Sequence, residues 1–478
     1  MKLFSLRLTT LKSKLYAIVF ASFVVRVVAF FALPNTPSAL GPDEATYAQV
    51  VEWTGSGRPA SDFPRFGAGL YVSGRSLLLP ATFLYKVGLN PLNSVRLTAS
   101  AYGLLVACVV VGVILKTASR NIIFKGFTEQ KTLFIPTLFA VFVFLPSNFV
   151  WSILGLRESA TEFWVISVFA LLFLVFHSNQ KVTVVASCGL VFAMIMLFSA
   201  RPQVGWVTGV TIVIYLLIKI KERVAILLLP IITMGTLLGY FSTVPASQLT
   251  AATFTVREVT ADLATTTVPM KPIEIEVSKR CVRNNQIIST GDKKYFCTLI
   301  PENQITLDIK NPGTALIDQT DSIPYKHEVN KAGAASAIKT QDCPLASNSR
   351  LEIYSCIVYR APYTTFTFLF RPILGADVTS SSSLFAAIEN TFWLGAFLFV
   401  ILMLIRNRRL AFLGALAPSL LFFSIYSVAA GAYEGNMGTA FRHKSLILWV
   451  VLLLIASTIV ATQQRKAEQQ GISGSSQE

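Results

Sequence analysis

The chain has 478 residues, of which 53% are hydrophobic and only 14% are charged. Soluble domains carry about 25% charged residues, so this composition excludes a soluble protein and predicts an integral membrane protein. The net charge of +16 comes from short basic clusters between apolar segments, the pattern of the positive-inside rule. We therefore expect the lipid bilayer as a partner and no nucleic acid.

Apolar segments predict a polytopic α-helical membrane protein with about ten transmembrane helices. The basic N-terminus precedes a first span that lacks a cleavage site and is therefore read as uncleaved. Every predicted inner loop is basic, so both termini are expected in the cytoplasm. The ten predicted spans cover residues 15–33, 95–115, 132–150, 158–176, 182–199, 204–218, 224–241, 386–405, 410–430 and 445–461.

The spans divide the chain into four parts. Residues 1–241 form an N-terminal transmembrane region with spans 1 to 7 and an outer loop at 34–94, in which residues 77–87 predict an interfacial helix. Residues 242–385 form an extracytoplasmic module, where alternating apolar and polar residues at 273–277 and 305–309 predict short strands. Residues 386–461 carry spans 8 to 10, and residues 462–478 form a disordered cytoplasmic tail.

The predicted outer module holds four of the six cysteines: Cys281, Cys297, Cys343 and Cys356. An even number of cysteines outside the cytosol favours two disulfides. A zinc site is less favoured, because no Cys-x-x-Cys spacing occurs. The sequence leaves three connectivities open, with the local pairs 281–297 and 343–356 as our first choice. The remaining two, Cys108 and Cys188, lie within spans and are expected to be inert core residues.

Two adjacent carboxylates, Asp43 and Glu44, follow the first span at the outer membrane surface. Glycosyl transfer needs a carboxylate that activates the acceptor hydroxyl, so Asp43 is a candidate general base or a ligand to a divalent cation such as Mg or Mn. Glu44 is its candidate partner. The open alternative is that the pair only begins an interfacial helix, since carboxylates favour a helix N-terminus.

Basic residues on the predicted outer face run against the positive-inside rule and need a reason. One reason is a compact anion, because guanidinium groups bind phosphate by charge-assisted bonds. The open alternative is that they bind ordinary lipid headgroups or neutralise nearby carboxylates. The candidate phosphate-binding residues are Arg65, Arg75, Arg96, Arg157, Arg201, Arg371, Arg442, His443 and Lys444. Further candidate polar residues of the site are Glu158, Glu162, Glu434 and Asn436.

The motif Asp43-Glu44-x-x-Tyr47 resembles the acidic motif in the first outer loop of the GT-C glycosyltransferases, which include the protein mannosyltransferase and aminoarabinose transferase families. Residues 78–115 are also similar to that group, and the likeness covers about the first 200 residues. It implies the GT-C fold, a lipid-linked sugar donor and Asp43 as the base. The second half, with Arg371, Glu389 and the loop ending at His443, is more similar to bacterial membrane proteins associated with exopolysaccharide synthesis.

These observations predict a glycosyltransferase in the plasma (inner) membrane of a bacterium, acting at the extracytoplasmic face in cell-envelope polysaccharide or glycan assembly. Its expected partners are a polyprenyl-phosphate-linked sugar donor and a glycan, lipid or protein acceptor. The alternatives are a polymerase or ligase of polyprenyl-pyrophosphate-linked oligosaccharides, or a transporter of lipid-linked sugars. A transporter is less favoured, because the polar residues gather at one face rather than at mid-depth.

Overall fold

The computed structural model describes residues 11–36, 43–59, 74–119, 134–243, 274–276, 287–290, 293–296, 305–307, 314–317, 350–378, 381–406, 413–433 and 437–474. The chain forms two units. The first comprises Met1–Ala246, Phe385–Ala429 and Phe441–Glu478, and the second comprises Ser247–Leu384 with Ala430–Ala440.

Helices make up nearly all of the described part of the first unit. In chain order they are α1 (Leu11–Ala32), α2 (Asp43–Gly55), α3 (Arg75–Lys86), α4 (Pro91–Ser119), α5 (Phe134–Phe144), α6 (Pro146–Ile153), α7 (Glu158–His177), α8 (Gln180–Ala200), α9 (Pro202–Ile218), α10 (Arg223–Thr243), α12 (Ser381–Arg406), α13 (Leu413–Tyr433) and α14 (Met437–Gly474). The second unit contributes α11 (Arg350–Phe370) and the first or last turns of α12, α13 and α14.

Six helices of the described part are long and apolar enough to cross a membrane, namely α1, α4, α7, α8, α12 and α14. The helices α5 and α6 together make a seventh candidate, bent by 45°. The bend occurs at Pro146, whose ring cannot continue a helix but suits the first position of a new one. The chain is therefore compatible with a multi-pass membrane protein, as predicted.

Each of the ten predicted spans coincides with a helix or with the bent pair. The remaining three predicted spans fall on α9, α10 and α13, whose apolar stretches are shorter than those of the six candidate membrane-crossing helices. Whether these three also cross the bilayer stays a prediction.

The predicted outer loop contains two packed helices, α2 and α3. Tyr47 and Val51 from α2 pack with Leu77 and Leu78 from α3, and with Val95 and other residues of α4 and α7. The hydroxyl of Tyr102 on α4 donates a hydrogen bond to the carbonyl oxygen of Ser76 at 2.8 Å. This core fixes the N-terminal end of α2 against the long helices.

Five short strands are described in the second unit: β1 (Glu274–Glu276), β2 (Ile287–Thr290), β3 (Lys293–Phe296), β4 (Ile305–Leu307) and β5 (Thr314–Ile317). They pair antiparallel in the orders β1–β5–β4 and β2–β3. The strands β1 and β4 fall on the two alternating segments of the sequence. That these residues make one extracytoplasmic β-containing module stays a prediction.

The predicted disulfide cysteines lie outside the described residues, apart from Cys356 on α11, whose side chain is not described. Their pairing stays a prediction. The prediction that Cys108 and Cys188 are core residues is wrong, because both side chains are exposed on the surfaces of α4 and α8. On a membrane-crossing helix such a surface faces lipid or a neighbouring chain.

Candidate functional site

The half-exposed carboxylate of Asp43 begins α2 and forms an ion pair with Arg442 near the start of α14. Arg442 Nη1 donates to Asp43 Oδ2 at 2.8 Å, and the two residues are separated by 399 positions in the chain. The side chain of Asp43 is 51% exposed, whereas that of Arg442 is 15% exposed. The fold therefore brings an accessible carboxylate from the first outer helix against a cation from the last helix.

Glu158, the first residue of α7, lies among several cations. Its Oε1 is 3.4 Å from Nη1 of Arg201 and 3.9 Å from Nε2 of His443. The charges of Arg442 and Arg157 also act on this carboxylate. Its Oε2 is buried and makes no hydrogen bond within the described part of the chain. Glu158 thus holds together cations from three separate segments.

Tyr47 lies one turn along α2 from Asp43 and is buried, with 3% of its surface exposed. Burial raises the pKa of Tyr47 to about 12, and the charges of Arg157, Glu158, Asp43 and Arg201 act on its phenol as well. The phenol is therefore neutral at ordinary pH and can donate a hydrogen bond into the cluster. We call the seven residues Asp43, Tyr47, Arg157, Glu158, Arg201, Arg442 and His443 the polar site.

Helix starts frame the polar site. The helix α2 begins at Asp43, α7 begins at Glu158 with Arg157 as its N-cap, and α9 begins after Arg201 as its N-cap. The first backbone N–H groups of a helix carry partial positive charge and favour anions. Together with the three arginines, these helix starts give the polar site an anion-binding character.

Glu44 and Arg96 form a second ion pair that is sealed from solvent. Arg96 Nε lies 2.5 Å from Glu44 Oε1, and Arg96 Nη2 lies 3.1 Å from Oε2. The same guanidinium donates to the carbonyl oxygens of Pro34 at 2.7 Å and Thr36 at 3.0 Å. The side chains are 0% and 1% exposed. Neither can reach a substrate here, so the geometry fits a role in positioning α2 rather than the predicted catalytic and phosphate-binding roles.

Gly155 lets the turn before α7 pass close to this ion pair. Its φ is +66°, in the left-handed region that glycine adopts without steric cost. A Cβ at this position would lie 3.0 Å from Cγ1 of Val95 and 3.4 Å from Oε1 of Glu44. The turn therefore passes beside the Glu44–Arg96 pair and leads directly to Glu158, the first residue of α7, in the polar site.

Lys444 was predicted to bind phosphate, but it points into the protein interior. It is 1% exposed, and its Nζ donates to Oδ1 of Asn390 at 2.9 Å. The adjacent Glu389 accepts from the backbone N–H of Ser147 at 3.1 Å and from Nε1 of Trp393 at 3.1 Å. This buried network links α6, α12 and α14, and it sets the position of α14 just beyond Arg442 and His443.

Glu162 lies one turn deeper along α7 than Glu158. It is buried, and the charge that acts on it is that of Arg26 on α1. Arg26 lies 5.0 Å from the ring centre of Phe149 and donates to Ser22. The charges of Glu162 and Arg26 therefore act on each other within the helix bundle, apart from the cations of the polar site.

The other predicted site residues lie elsewhere. Arg75 is exposed at the start of α3. Arg371 belongs to the second unit, where its Nε donates to Oδ2 of Asp377 at 2.9 Å. This bond lowers the pKa of Asp377 and raises that of Arg371. Three further candidates lie outside the described residues: Arg65, Glu434 and Asn436.

A divalent cation does not fit the described surroundings of Asp43. Within the described ranges no three His, Cys, Asp or Glu side chains come close enough to hold a metal ion. Arg442 already bonds to Asp43 Oδ2, and the neighbouring Glu158 is surrounded by cations. The electrostatics of the polar site favour an anion over a metal ion.

The sequence could indicate the polar site only in part. Tyr47 was quoted in the motif but not proposed for the site, and its burial beside four charged groups is visible only in the fold. Nothing in the sequence indicated the buried network around Glu389 and Lys444, which includes Asn390, Ser147 and Trp393, because an isolated polar residue in an apolar helix does not reveal its partner.

Comparisons with protein-family models, with curated proteins and with solved structures find no match to this chain.

Proposed function

We propose that the protein is a GT-C-type membrane glycosyltransferase that takes its sugar from a polyprenyl phosphate at the extracytoplasmic face of a bacterial inner membrane. The observation that supports this most is the polar site itself. It pairs the accessible carboxylate of Asp43 with Arg442, whose charge acts on the buried Glu158 together with those of Arg157 and Arg201, at the ends of apolar helices. Its product would be a cell-envelope polysaccharide or glycan, with a glycan, lipid or protein as acceptor.

The proposed reaction uses Asp43 as the general base. Asp43 accepts the proton of an acceptor hydroxyl as that oxygen forms a bond to the anomeric carbon of the sugar. The bond between the anomeric carbon and the phosphate oxygen breaks, and its electron pair stays on the polyprenyl phosphate that leaves. Within the described residues Arg442 bonds to Oδ2 and the side chain is half exposed, which leaves Oδ1 available to accept a proton from an acceptor.

The arginines would stabilise the leaving phosphate. Arg157, Arg201 and Arg442 place guanidinium groups around Glu158, and guanidinium binds phosphate oxygens by strong bidentate bonds. Glu158 would hold these cations in place before the lipid arrives, so little reorganisation is needed when charge develops. The phenol of Tyr47 would add a neutral donor.

A transfer assay tests the proposal. Purified protein in lipid discs is offered polyprenyl-phosphate and polyprenyl-pyrophosphate sugars, and release of the carrier is measured for wild type, Asp43→Asn and Glu52→Gln. Glu52 is the matched control, because it is an exposed acidic residue on the same helix. We expect turnover of phosphate-linked donors, a loss of about a hundredfold or more in Asp43→Asn, and wild-type rates in Glu52→Gln.

Two results would point to the alternatives. Turnover that requires a pyrophosphate-linked donor and persists in Asp43→Asn would favour a polymerase or ligase that relies on the arginines. Movement of intact lipid-linked sugar across vesicles without any chemical change would favour a transporter.

A further inference from the structure

The helix α11 has an exposed aromatic face. Tyr359 is 83% exposed, Tyr363 is 50% exposed and Phe366 is 46% exposed. Their spacing of four and three residues places them on one side of the helix. The turn that follows continues the pattern, because Ile373 and Leu374 are also exposed. A group of exposed apolar side chains of this size needs an explanation.

The opposite face of α11 packs within the protein. Thr364, Thr367 and Phe368 are buried, with 3%, 3% and 0% exposed. The last turns of α13 approach this face closely, since a Cβ on Gly431 would lie 2.8 Å from the backbone of Thr364. The last turn of α13 therefore packs against the side of α11 opposite to the exposed aromatic side chains.

The chain around α11 connects it directly to membrane-crossing segments. The helix ends at Phe370, the turn is closed by the ion pair between Arg371 and Asp377, and α12 begins at Ser381. Residues 383–406 of α12 are long and apolar enough to cross a membrane, whereas α11 is not among the candidate spans of the described part of the chain. The short turn between Phe370 and Ser381 therefore keeps the end of α11 near the first turn of a helix that is apolar enough to cross a membrane.

We propose that α11 lies in the headgroup region of the bilayer, with Tyr359, Tyr363 and Phe366 inserted at the boundary between headgroups and acyl chains. Tyrosine suits that boundary because its ring is apolar and its hydroxyl is polar. Asp377 neutralises the charge of Arg371 in the turn after α11. The exposed Ile373 and Leu374 of that turn therefore insert as well. The occupant of the aromatic face is lipid, and this inference does not depend on the transferase activity.

Site-specific photocrosslinking tests this placement. The photoreactive residue p-benzoylphenylalanine replaces Tyr359, Tyr363 or Phe366 in the full chain, reconstituted in discs of phosphatidylethanolamine and phosphatidylglycerol. Lipid adducts on the labelled peptide are measured by mass spectrometry. The positive control is Phe20, 66% exposed on the membrane-crossing helix α1, and the negative control is the buried Phe368 on α11 itself.

We expect lipid adducts at Tyr363 at about the yield of Phe20, and about tenfold or more above the yield at Phe368. These positions should tolerate the substitution because about half or more of each side chain is exposed, and elution as a single species confirms folding. Tyr359 and Phe366 give independent repeats on the same face. Absence of lipid adducts at all three positions, or adducts to a second copy of the chain in their place, would overturn the proposal.

Discussion

Breaking the buried Glu44–Arg96 pair is expected to destabilise the protein strongly. Arg96→Met removes the guanidinium and leaves the carboxylate of Glu44 buried without its counter-charge. Removing one partner of a buried pair costs roughly 3–5 kcal/mol. The carbonyl oxygens of Pro34 and Thr36 also lose these donors, at a smaller cost, because both residues are exposed and water can take the place of the guanidinium. We expect a loss of at least about 3 kcal/mol in the free energy of unfolding.

The double variant separates the ion pair from the rest of the site. In Glu44→Leu/Arg96→Met no charge is left buried, so the double change should cost clearly less than the sum of the two single changes. It should not return to wild-type stability, because the two bonds from Arg96 to the carbonyl oxygens of Pro34 and Thr36 are still lost. Arg58→Met is the control, since Arg58 is exposed and lies 4.6 Å from the ring centre of Trp53.

Denaturant unfolding in micelles, followed by circular dichroism, measures these differences. We expect Arg58→Met to stay within about 1 kcal/mol of wild type. If Arg96→Met unfolds at the same denaturant concentration as wild type, the pair does not position α2. If the cost of the double variant equals the sum of the single costs, Glu44 and Arg96 do not interact as described.

Three further predictions concern other parts of the chain. Gly155→Ala places a Cβ 3.0 Å from the nearest side chain, at a φ of +66° that favours glycine. It should lower the free energy of unfolding by about 1–3 kcal/mol, and an unchanged melting temperature would refute this. Lys444→Met removes the cation whose charge acts on the buried Glu389 and should cost roughly 3 kcal/mol. Glu389→Gln in the same chain should restore part of this loss, and additive losses in denaturant titration would contradict the prediction. The lowered pKa of Asp377 means that its bond to Arg371 stabilises the fold above the ordinary carboxyl pKa of about 3.9 and is lost as the pH falls through the lower folded value. Thermal unfolding between about pH 3 and pH 7 should therefore show wild type losing more stability below about pH 4 than Asp377→Asn, and parallel pH profiles would exclude the linkage.

Helix positions could be predicted because apolar segment length carries the signal directly. All ten predicted spans fall on helices, and the start of α2 at Asp43 agrees with the helix-start alternative for the carboxylate pair. The bend at Pro146 was missed, because the apolar run continues through the proline and only the broken hydrogen bonds reveal it.

Pairings between distant residues could not be predicted. Asp43 and Glu44 are neighbours in sequence, yet one is half exposed and the other is fully buried. Successive residues of a helix point about 100° apart, so only the packing of α2 decides which carboxylate faces Arg442 and which faces Arg96. For the same reason Arg442 and Lys444, two residues apart on α14, bond to different partners, Asp43 and Asn390.

The most direct test of the central claim separates the rate of the chemical step from donor binding. Steady-state kinetics with a polyprenyl-phosphate sugar compare wild type, Asp43→Asn and Arg442→Gln. The account predicts that Asp43→Asn lowers kcat by about 10²–10⁴ with KM for the donor nearly unchanged, because the base acts only in the transition state. Arg442→Gln should raise KM for the donor and lower kcat, because it loses a phosphate contact. An Asp43→Asn variant that keeps the wild-type kcat would contradict the account.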